Sequence, residues 1–262
     1  MVLCTTFING SAKPMSQGFA ILIQADALRY TTHAKPVLQD LVMQLPAQQW
    51  TCLLGRSGCG KTSILRKLAG LLEEAQWQGK IETDGQPLSG NIAYMAQQDL
   101  LLPWLSVLDN VCIAERLQGR SLTQDLRDKA LLLLDKVGLK AHADNYPHTL
   151  SGGMRQRVAL ARTLLQERPI VLMDEPFSAL DAVTRHKLQS LSFELLQGKT
   201  VLLVTHDPQE AVRLGHQIYV MEGSPASAHL LEGLASTPPR QLDEHSAALQ
   251  NDILHRLGGE HV

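Results

Sequence analysis

The fold class is decided by residues 50–70, WTCLLGRSGCGKTSILRKLAG. The stretch begins with a short continuous apolar run, typical of a strand buried on both faces, and ends with a run of helical periodicity. Between them, GRSGCGKT (55–62) fits the pattern G-x-x-x-x-G-K-[ST] in the strand–loop–helix context that this motif requires. Glycines let backbone N–H groups turn toward a phosphate, and the start of a helix adds its positive dipole end. The stretch therefore predicts a loop that binds the phosphates of a nucleotide.

Two side chains of this loop have expected roles. Lys61 should reach the β- and γ-phosphates, and the hydroxyl of Thr62 should ligate Mg²⁺. The residues expected to contact the nucleotide here are Gly55, Arg56, Ser57, Gly58, Cys59, Gly60, Lys61, Thr62 and Ser63.

Three further short apolar runs predict strands of the same parallel sheet, so we expect an α/β protein. They are IAYMA (92–96), IVLM (170–173) and TVLLVT (200–205). Polar side chains follow each run, namely Gln97, Asp174 with Glu175, and His206. Ligands of open parallel sheets lie beyond the carboxyl ends of the strands. These side chains and the phosphate loop are therefore expected to line one crevice.

The acidic pair at the end of the third strand suggests hydrolytic chemistry. Asp174 is placed to hold Mg²⁺, directly or through water, and Glu175 can polarise a water for attack on the γ-phosphate. The alternative is a strand end with two solvated acids, and the shared context with the phosphate loop weighs against it.

A second glycine-rich turn occurs at LSGGMRQR (150–157). Ser151 can cap the helix that follows, and the amides of Gly152 and Gly153 can face an anion. One nucleotide does not need this second phosphate-binding turn within its own subunit. We therefore expect two copies in a head-to-tail, two-fold arrangement, with each ATP held by one copy's phosphate loop and the other's LSGG turn.

Composition sets limits on the class of protein. Of the 262 residues, 44% are hydrophobic and 19% charged, which is ordinary for a soluble globular protein. The net charge of −2 lacks the basic excess of a nucleic-acid binder, so no nucleic-acid partner is expected. The four cysteines form no C-x-x-C pair, which argues against a zinc site and favours a reducing cytoplasm. The apolar runs are too short to span a bilayer.

The chain divides into three predicted segments. Residues 1–20 are expected to form a loose, variable lead-in, and residues 226–262 a short C-terminal extension with a helix near 241–256. The ATPase domain spans 21–225 and includes a helical insertion at about 99–166. Within the insertion, the segment DLRDKALLLLDKVG has helical periodicity and ends at a glycine suited to a helix C-terminus.

Taken in order, these motifs resemble those of the ATPase subunit of ABC transporters, over about residues 21–225. The matching elements are the Walker A motif GRSGCGKT, the Q-loop glutamine Gln97 in YMAQQDLLLPW, the signature LSGGMRQR, the Walker B motif IVLMDEP, the D-loop SALD (178–181) and the switch histidine His206 in VTHD. The resemblance implies a P-loop NTPase fold with a mostly parallel sheet core, an N-terminal antiparallel β subdomain and a helical insertion subdomain.

The resemblance also implies roles for individual residues. Gln97 would contact Mg²⁺ and the attacking water, and would connect the site to the helical insertion. Asp181 would lie at the dimer interface, and His206 would contact the γ-phosphate. Tyr30 lies where the family places an aromatic that stacks on adenine, although a tyrosine in a strand is more often a packing residue.

Four positions in or next to the phosphate loop are notable. Arg56 replaces a proline that is common in the family, and Thr62-Ser63 reverses the usual serine–threonine order but keeps a hydroxyl for Mg²⁺. Cys59 lies inside the loop, where bulk added to its thiol is expected to block ATP.

The segment DLLLPWLSVLDNV (99–111) resembles that of bacterial importers of the nitrate, sulfonate and taurine type, a group that includes proteins for thiamine precursors. In the family this region faces the coupling helix of the membrane subunit. The resemblance implies a peripheral ATPase on the cytoplasmic face of the inner membrane. Its partners would be a second copy, permease subunits and, indirectly, a periplasmic or lipoprotein substrate-binding protein.

Two alternatives stay open from the sequence. The first is a soluble, non-transport ATPase of the same family that acts on ribosomes or nucleic acid. The single signature, the absence of a long coiled-coil insertion and the lack of basic excess weigh against it. The second is a nucleotide-binding regulator without turnover, which the presence of Glu175 and His206 disfavours.

Overall fold

A computed structural model of the protein describes residues 17–31, 35–233 and 236–258. The strands are β1 (Ile21–Tyr30), β2 (Leu38–Leu45), β3 (Trp50–Gly55), β4 (Ala75–Thr83), β5 (Ile92–Met95), β6 (Ile170–Asp174), β7 (Thr200–Val204), β8 (Gln217–Glu222) and β9 (Ser227–Leu230). The α-helices are α1 (Lys61–Leu68), α2 (Val107–Val111), α3 (Ile113–Leu117), α4 (Gln124–Lys136), α5 (Gly152–Leu165), α6 (Ala182–Leu195), α7 (Pro208–Leu214) and α8 (Glu244–Gly258). Within these ranges, no helix combines the length and the apolar character needed to cross a bilayer.

The larger sheet has the strand order β5-β6-β7-β3-β8-β9. Its first five strands are parallel, and β9 pairs with β8 in the antiparallel direction. Every residue of β3, β6 and β7 is buried, because both faces of the sheet are covered. The four strands predicted from continuous apolar runs are confirmed. Because β3 is central, the phosphate loop that follows it lies in the middle of the sheet edge.

The smaller sheet is antiparallel, with the order β2-β1-β4. It packs over α1 and one face of the larger sheet, in a core that includes Ile23, Ile64 and Leu172. The neighbouring residue Val171 points to the other face, into a second core beneath the helices. This alternation follows the two-residue period of a strand. The predicted antiparallel β subdomain and the parallel sheet are both confirmed.

Helices α2 to α5 form the predicted helical insertion between β5 and β6. Helix α4 begins after Thr123, whose side chain accepts a hydrogen bond from the backbone N–H of Leu126. The chain leaves the helix through Gly138, which has a φ of 71°, a left-handed conformation that favours glycine. The helix ends where the sequence predicted because this stop signal is local.

The two ends of the chain are more closely tied to the core than the sequence suggested. Residues 1–16 lie outside the described residues, but Phe19 is buried, and the backbone N–H of Gly18 donates to the carbonyl of Gly198 at 2.8 Å. A Cβ at Gly18 would lie 2.3 Å from the backbone nitrogen of Thr200, so the backbones there touch. The end of the expected lead-in is therefore packed rather than loose. The C-terminal helix forms slightly later than expected, as α8.

Candidate active site

The phosphate loop connects β3 to α1 and carries its lysine inward. Gly58 and Gly60 have φ angles of 82° and 101°, so the two turns of the loop need residues without a Cβ. The side chain of Lys61 is buried, and its Nζ donates to the carbonyls of Gly55 at 2.7 Å and Arg56 at 2.9 Å. These bonds hold a positive charge at the centre of the loop, where a nucleotide phosphate would sit.

A cavity of about 340 Å³ opens beside this loop. It is lined by Tyr30, Val37, Gly58, Gly60, Lys61, Thr62 and Ser63. The small sheet brings Tyr30 to the loop, and its hydroxyl is 2.7 Å from the hydroxyl of Ser63. Among the described residues, none of the LSGG turn lines this cavity. A single copy therefore offers the phosphate loop and the aromatic ring together, but not the second glycine turn.

Two predicted metal ligands are adjacent. The hydroxyl of Thr62 donates to Oδ2 of Asp174 at 2.8 Å. Asp174 is only 2% exposed, and this burial raises the pKa of its carboxyl while the hydrogen bond from Thr62 acts in the opposite direction. Oxygen ligands of this kind suit Mg²⁺, so the pair fits the predicted role.

Glu175 is the point where three strand ends converge. Its Oε2 accepts from Nε2 of Gln97 at 3.2 Å and lies 3.2 Å from Nδ1 of His206. Gln97 follows β5, Glu175 follows β6 and His206 follows β7. The expectation that these polar residues share one crevice is confirmed. Gln97 therefore donates a hydrogen bond to the carboxylate of Glu175. Thr62, in contrast, donates one to the carboxylate of Asp174.

The backbone at Glu175 is held in an unusual conformation. Its φ is 49°, in the left-handed region that non-glycine residues rarely adopt. The N–H of Glu175 donates to the carbonyl of Val204 at 2.9 Å, and its carbonyl accepts from the hydroxyl of Ser178 at 3.0 Å. Local strain of this kind persists where surrounding contacts determine the geometry, as they do here. The side chain is thereby directed to the crevice.

The second glycine turn and the D-loop lie against each other. Ser151 caps α5, since its hydroxyl accepts from the backbone N–H of Met154 at 3.3 Å. A Cβ at Gly153 would lie 3.1 Å from the carbonyl of Ala179, so glycine permits a close approach there. Asp181 caps α6 by accepting from the N–H of Thr184 at 3.0 Å, and this bonding lowers the pKa of its carboxyl. Ser151 and Asp181 are both exposed and available to another molecule.

Two arginines that were not among the predicted site residues join the segment after Gln97 to helix α5. Arg155 donates from Nε to Oδ2 of Asp99 at 2.9 Å and from Nη1 to the carbonyl of Leu150 at 2.8 Å. Arg162 donates to the carbonyls of Asp99 at 2.6 Å and Leu100 at 3.0 Å. The seven-residue spacing of the two arginines places them on one helix face, and that spacing was the available signal.

The chain is similar to known proteins over most of its length. A family model described as ABC transporter matches residues 38–178. An uncharacterized ABC transporter ATP-binding protein of Haemophilus influenzae is 43% identical over 243 residues, covering 91% of this chain and 100% of that protein. The aliphatic sulfonates import ATP-binding protein SsuB 2 of Agrobacterium fabrum is 46% identical over 191 residues, covering 71% of this chain and 70% of that protein.

The fold is similar to that of a solved ATP-binding cassette, a dimer in a post-hydrolysis state bound to ADP and phosphate. The two superpose with a TM-score of 0.71 at 28% identity, covering 83% of this chain and 99% of the other. The family match covers more than half of the chain, and the alignments with both relatives cover more than two thirds of each protein. The chain therefore belongs to the ABC transporter family as an ATP-binding subunit, with ATP hydrolysis as its activity.

Proposed function

We propose that this subunit hydrolyses ATP to drive uptake of a small solute across the inner membrane, through permease subunits that it contacts at the cytoplasmic face. The assignment of ATP hydrolysis is supported by the convergence of Gln97, Glu175 and His206, beyond the same sheet edge that holds the phosphate loop. The importer part is supported by relatives named for aliphatic sulfonate import. Those names favour an importer over a non-transport ATPase, and they make a sulfonate the first cargo class to test.

In the proposed mechanism, each side chain has a defined role. Lys61 neutralises the phosphates, and Tyr30 stacks on the adenine. Glu175 accepts a proton from the attacking water as the water oxygen bonds to the γ-phosphorus, while the bond to the β,γ-bridging oxygen breaks and ADP leaves. Gln97 orients that water, and His206 contacts the γ-phosphate.

Thr62 and Asp174 would hold Mg²⁺, with Gln97 joining them once ATP is present. The ion would supply charge neutralisation at the phosphates. The hydrogen bond between Thr62 and Asp174 supports this assignment, because it shows two oxygen ligands within reach of one position. Gln97 would have to turn from Glu175 toward the metal.

We further propose that two copies share each ATP. Ser151, Gly152 and Gly153 of one copy would bind the nucleotide held in the other's phosphate loop, and Asp181 would lie at their interface. The exposed cap of α5 and the cavity that lacks these residues support this arrangement. The related dimeric cassette provides a precedent for a two-copy assembly.

Docking to the permease is assigned to the surface formed by Leu100 and Trp104, which are 59% and 70% exposed. Asn110 fixes the loop behind them. Its Nδ2 donates to the carbonyls of Leu102 and Leu105 at 3.1 Å each, and its Oδ1 accepts from the N–H of Leu102 at 2.8 Å. Because this loop is held by hydrogen bonds and lies close to Gln97 in the chain, a movement of the bound permease at Trp104 would be transmitted to Gln97. The substrate-binding protein would act on the outer side of that permease.

The proposal is tested by purifying the tagged chain from membranes of the cells that produce it and identifying the integral membrane proteins that it retains. The wild type should retain the integral membrane partner, and Trp104→Asp should lose most of it while still binding ATP, because a charge replaces an exposed apolar contact. Leu117→Asp is the matched control, since Leu117 is 79% exposed on α3 and should not affect capture. Recovery of ribosomes or nucleic acid instead of a permease would contradict the importer assignment.

The division of the chain into segments is also a proposal. We assign ATP hydrolysis to residues 21–225, with the helical subdomain at about 99–166, and treat residues 1–20 and 226–262 as flanking segments. The proposed boundary at residue 226 lies next to the hydrophobic core. Strand β9 extends the larger sheet, and Ala226 forms an isolated β-bridge with Leu38.

Alkylation of Cys59 should block nucleotide binding, and bound ATP should protect the thiol. The sulfur lies 3.9 Å from Nζ of Lys61 and 3.9 Å from Sδ of Met221, so an added group has to project into the phosphate site. We expect affinity to fall roughly 10–100-fold, the scale of a steric insertion into a packed site. Burial raises the pKa of the thiol, so the reaction should accelerate as the pH increases.

The measurement is ATP binding before and after complete modification, with the modified residues identified by mass spectrometry. The matched control is Cys59→Ser, which keeps the other cysteines and should bind ATP normally after the same treatment. Normal binding by fully modified wild-type protein would refute the prediction.

A further inference from the structure

Helix α7 lies directly behind the switch histidine. It spans Pro208–Leu214, and its N-cap is Asp207, the residue after His206. The side chain of Asp207 accepts from the N–H of Gln209 at 2.9 Å and pairs with Arg185 of α6 at 3.3 Å. A movement of this short helix would therefore displace His206 first.

The residue before the histidine is also tied to α7. Thr205 accepts from the N–H of Asp207 at 3.0 Å, and Glu210 follows inside α7. Glu210 is 4% exposed, and it accepts from Nε2 of Gln189 of α6 at 2.9 Å. Burial raises the pKa of Glu210 to about 7, with the bonds from Thr205 and Gln189 acting against that rise. Both neighbours of His206 are thus held by hydrogen bonds at the N-terminal end of α7.

The other end of α7 is held by the C-terminal extension. Arg240 is 7% exposed, and its Nη1 donates to the carbonyls of Val212 at 2.9 Å and Gly215 at 2.6 Å. The backbone N–H of Arg240 donates to the carbonyl of Arg213 at 2.8 Å. The positive charge lies at the helix C-terminus, where carbonyls lack helical partners and the dipole favours a cation.

Helix α8 anchors this arginine to the body of the protein. Leu249 and Ile253 of α8 are buried in the same core as Val212 and Leu214 of α7. The first turn of α8 is capped by Asp243, which accepts from the N–H of Ser246 at 2.7 Å. The C-terminal extension is therefore packed firmly against the core and contacts the C-terminal end of α7.

We propose that Arg240 is a positioning residue for ATP hydrolysis, which sets the placement of His206 by holding the far end of α7. A helix of this length spans about 10 Å, so the guanidinium acts through the helix and does not reach the nucleotide. This inference rests on the proposed role of His206 in hydrolysis. It gives the C-terminal extension a task in the active site of its own chain.

The test compares two variants. Arg240→Met removes the hydrogen-bond donors of the guanidinium, and Arg240→Lys keeps a positive charge but cannot reproduce the geometry of the guanidinium. Arg240→Met should lower kcat roughly three- to thirty-fold, the range of coupling through packed elements, with KM and ATP affinity unchanged. Arg240→Lys should recover part of the loss. The matched control is Arg256→Met on α8, because Arg256 forms partly exposed pairs with Asp252 and Glu222 and should leave kcat unchanged.

Repeating the measurement in the background of His206→Ala distinguishes positioning from general destabilisation. If Arg240 acts through His206, Arg240→Met should cause little further loss of the residual single-turnover rate in that background. An equal fold-loss in both backgrounds would overturn the proposal. If His206→Ala itself hydrolyses ATP normally, the role of His206 and this inference both fail. Loss in His206→Ala without any effect of the Arg240 variants would overturn the inference alone.

A spectroscopic measurement covers the case in which Arg240→Met does not fold. The ring resonances of His206, assigned by their absence in His206→Ala, should shift in Arg240→Lys and stay in place in Arg256→Met. Unchanged His206 resonances together with an unchanged kcat in Arg240→Lys would also overturn the proposal.

Discussion

Replacing Glu175 with glutamine is expected to leave ATP binding intact and to lower turnover by roughly 10²–10⁴-fold, the contribution of a positioned general base. Glutamine has almost the same shape, so the backbone conformation at this position and the contacts near Gln97 and His206 should persist. It cannot accept the proton of the attacking water at neutral pH, however. ATP should therefore bind and remain unhydrolysed.

The measurements are equilibrium ATP binding and the rate of phosphate release. Glu115→Gln is the control, because Glu115 is a carboxylate of the helical insertion that pairs with Arg120 at 3.1 Å and lies outside the crevice. Phosphate release by Glu175→Gln within a few-fold of the wild-type rate would remove Glu175 from the role of base.

Replacing Lys61 with alanine is expected to weaken ATP binding by roughly 10²–10⁴-fold. The ammonium now donates to the carbonyls of Gly55 and Arg56, and it should exchange these bonds for the phosphate oxygens of a nucleotide. Two charge-assisted hydrogen bonds of about 1.5–3 kcal/mol each account for an effect of that size. Hydrolysis should be lost because the substrate is no longer held.

Calorimetry of ATP binding measures this effect, and Lys67→Ala is its matched control. Lys67 lies on the same helix, but its Nζ is 5.9 Å from the ring centre of Trp77, away from the loop carbonyls. The control should bind ATP with an affinity close to that of the wild type. If Lys61→Ala also kept its affinity within about threefold, less than 1 kcal/mol, the loop would not be the phosphate site.

The sequence predicted which polar side chains meet at the edge of the sheet, because each of them follows a strand that is specified by local residues. A continuous apolar run followed by a polar residue predicts both a buried strand and what it presents at its end, as at Gln97, Glu175 and His206. Strand direction alone then brings such residues to one edge of the sheet. The same reasoning could not foresee that Gln97 and His206 both bond to one oxygen of Glu175, because that depends on side-chain geometry.

Contacts between distant segments were out of reach for the same reason. Nothing in the local pattern around Arg240 marks it as a cap for a helix that ends at Leu214, and the tie between Asp99 and Arg162 spans 63 residues. The packing of Phe19 against the core also went unforeseen, since a short apolar segment near a terminus has no period that shows what it covers.

By itself, the sequence determined four strands of the larger sheet, the glycine-rich loop after β3, the glycine turn before α5 and the polar residues that follow the strands, because each depends on backbone preferences and periodicity over a few neighbouring residues. Only the tertiary structure decided which of these residues touch, how the Q-loop is tied to the signature helix, and that the C-terminal extension supports the helix behind His206. Such contacts join residues far apart in the chain, and their partners are selected by packing and by the burial of polar groups that must find a hydrogen bond. A local sequence pattern does not show which distant residues will become partners.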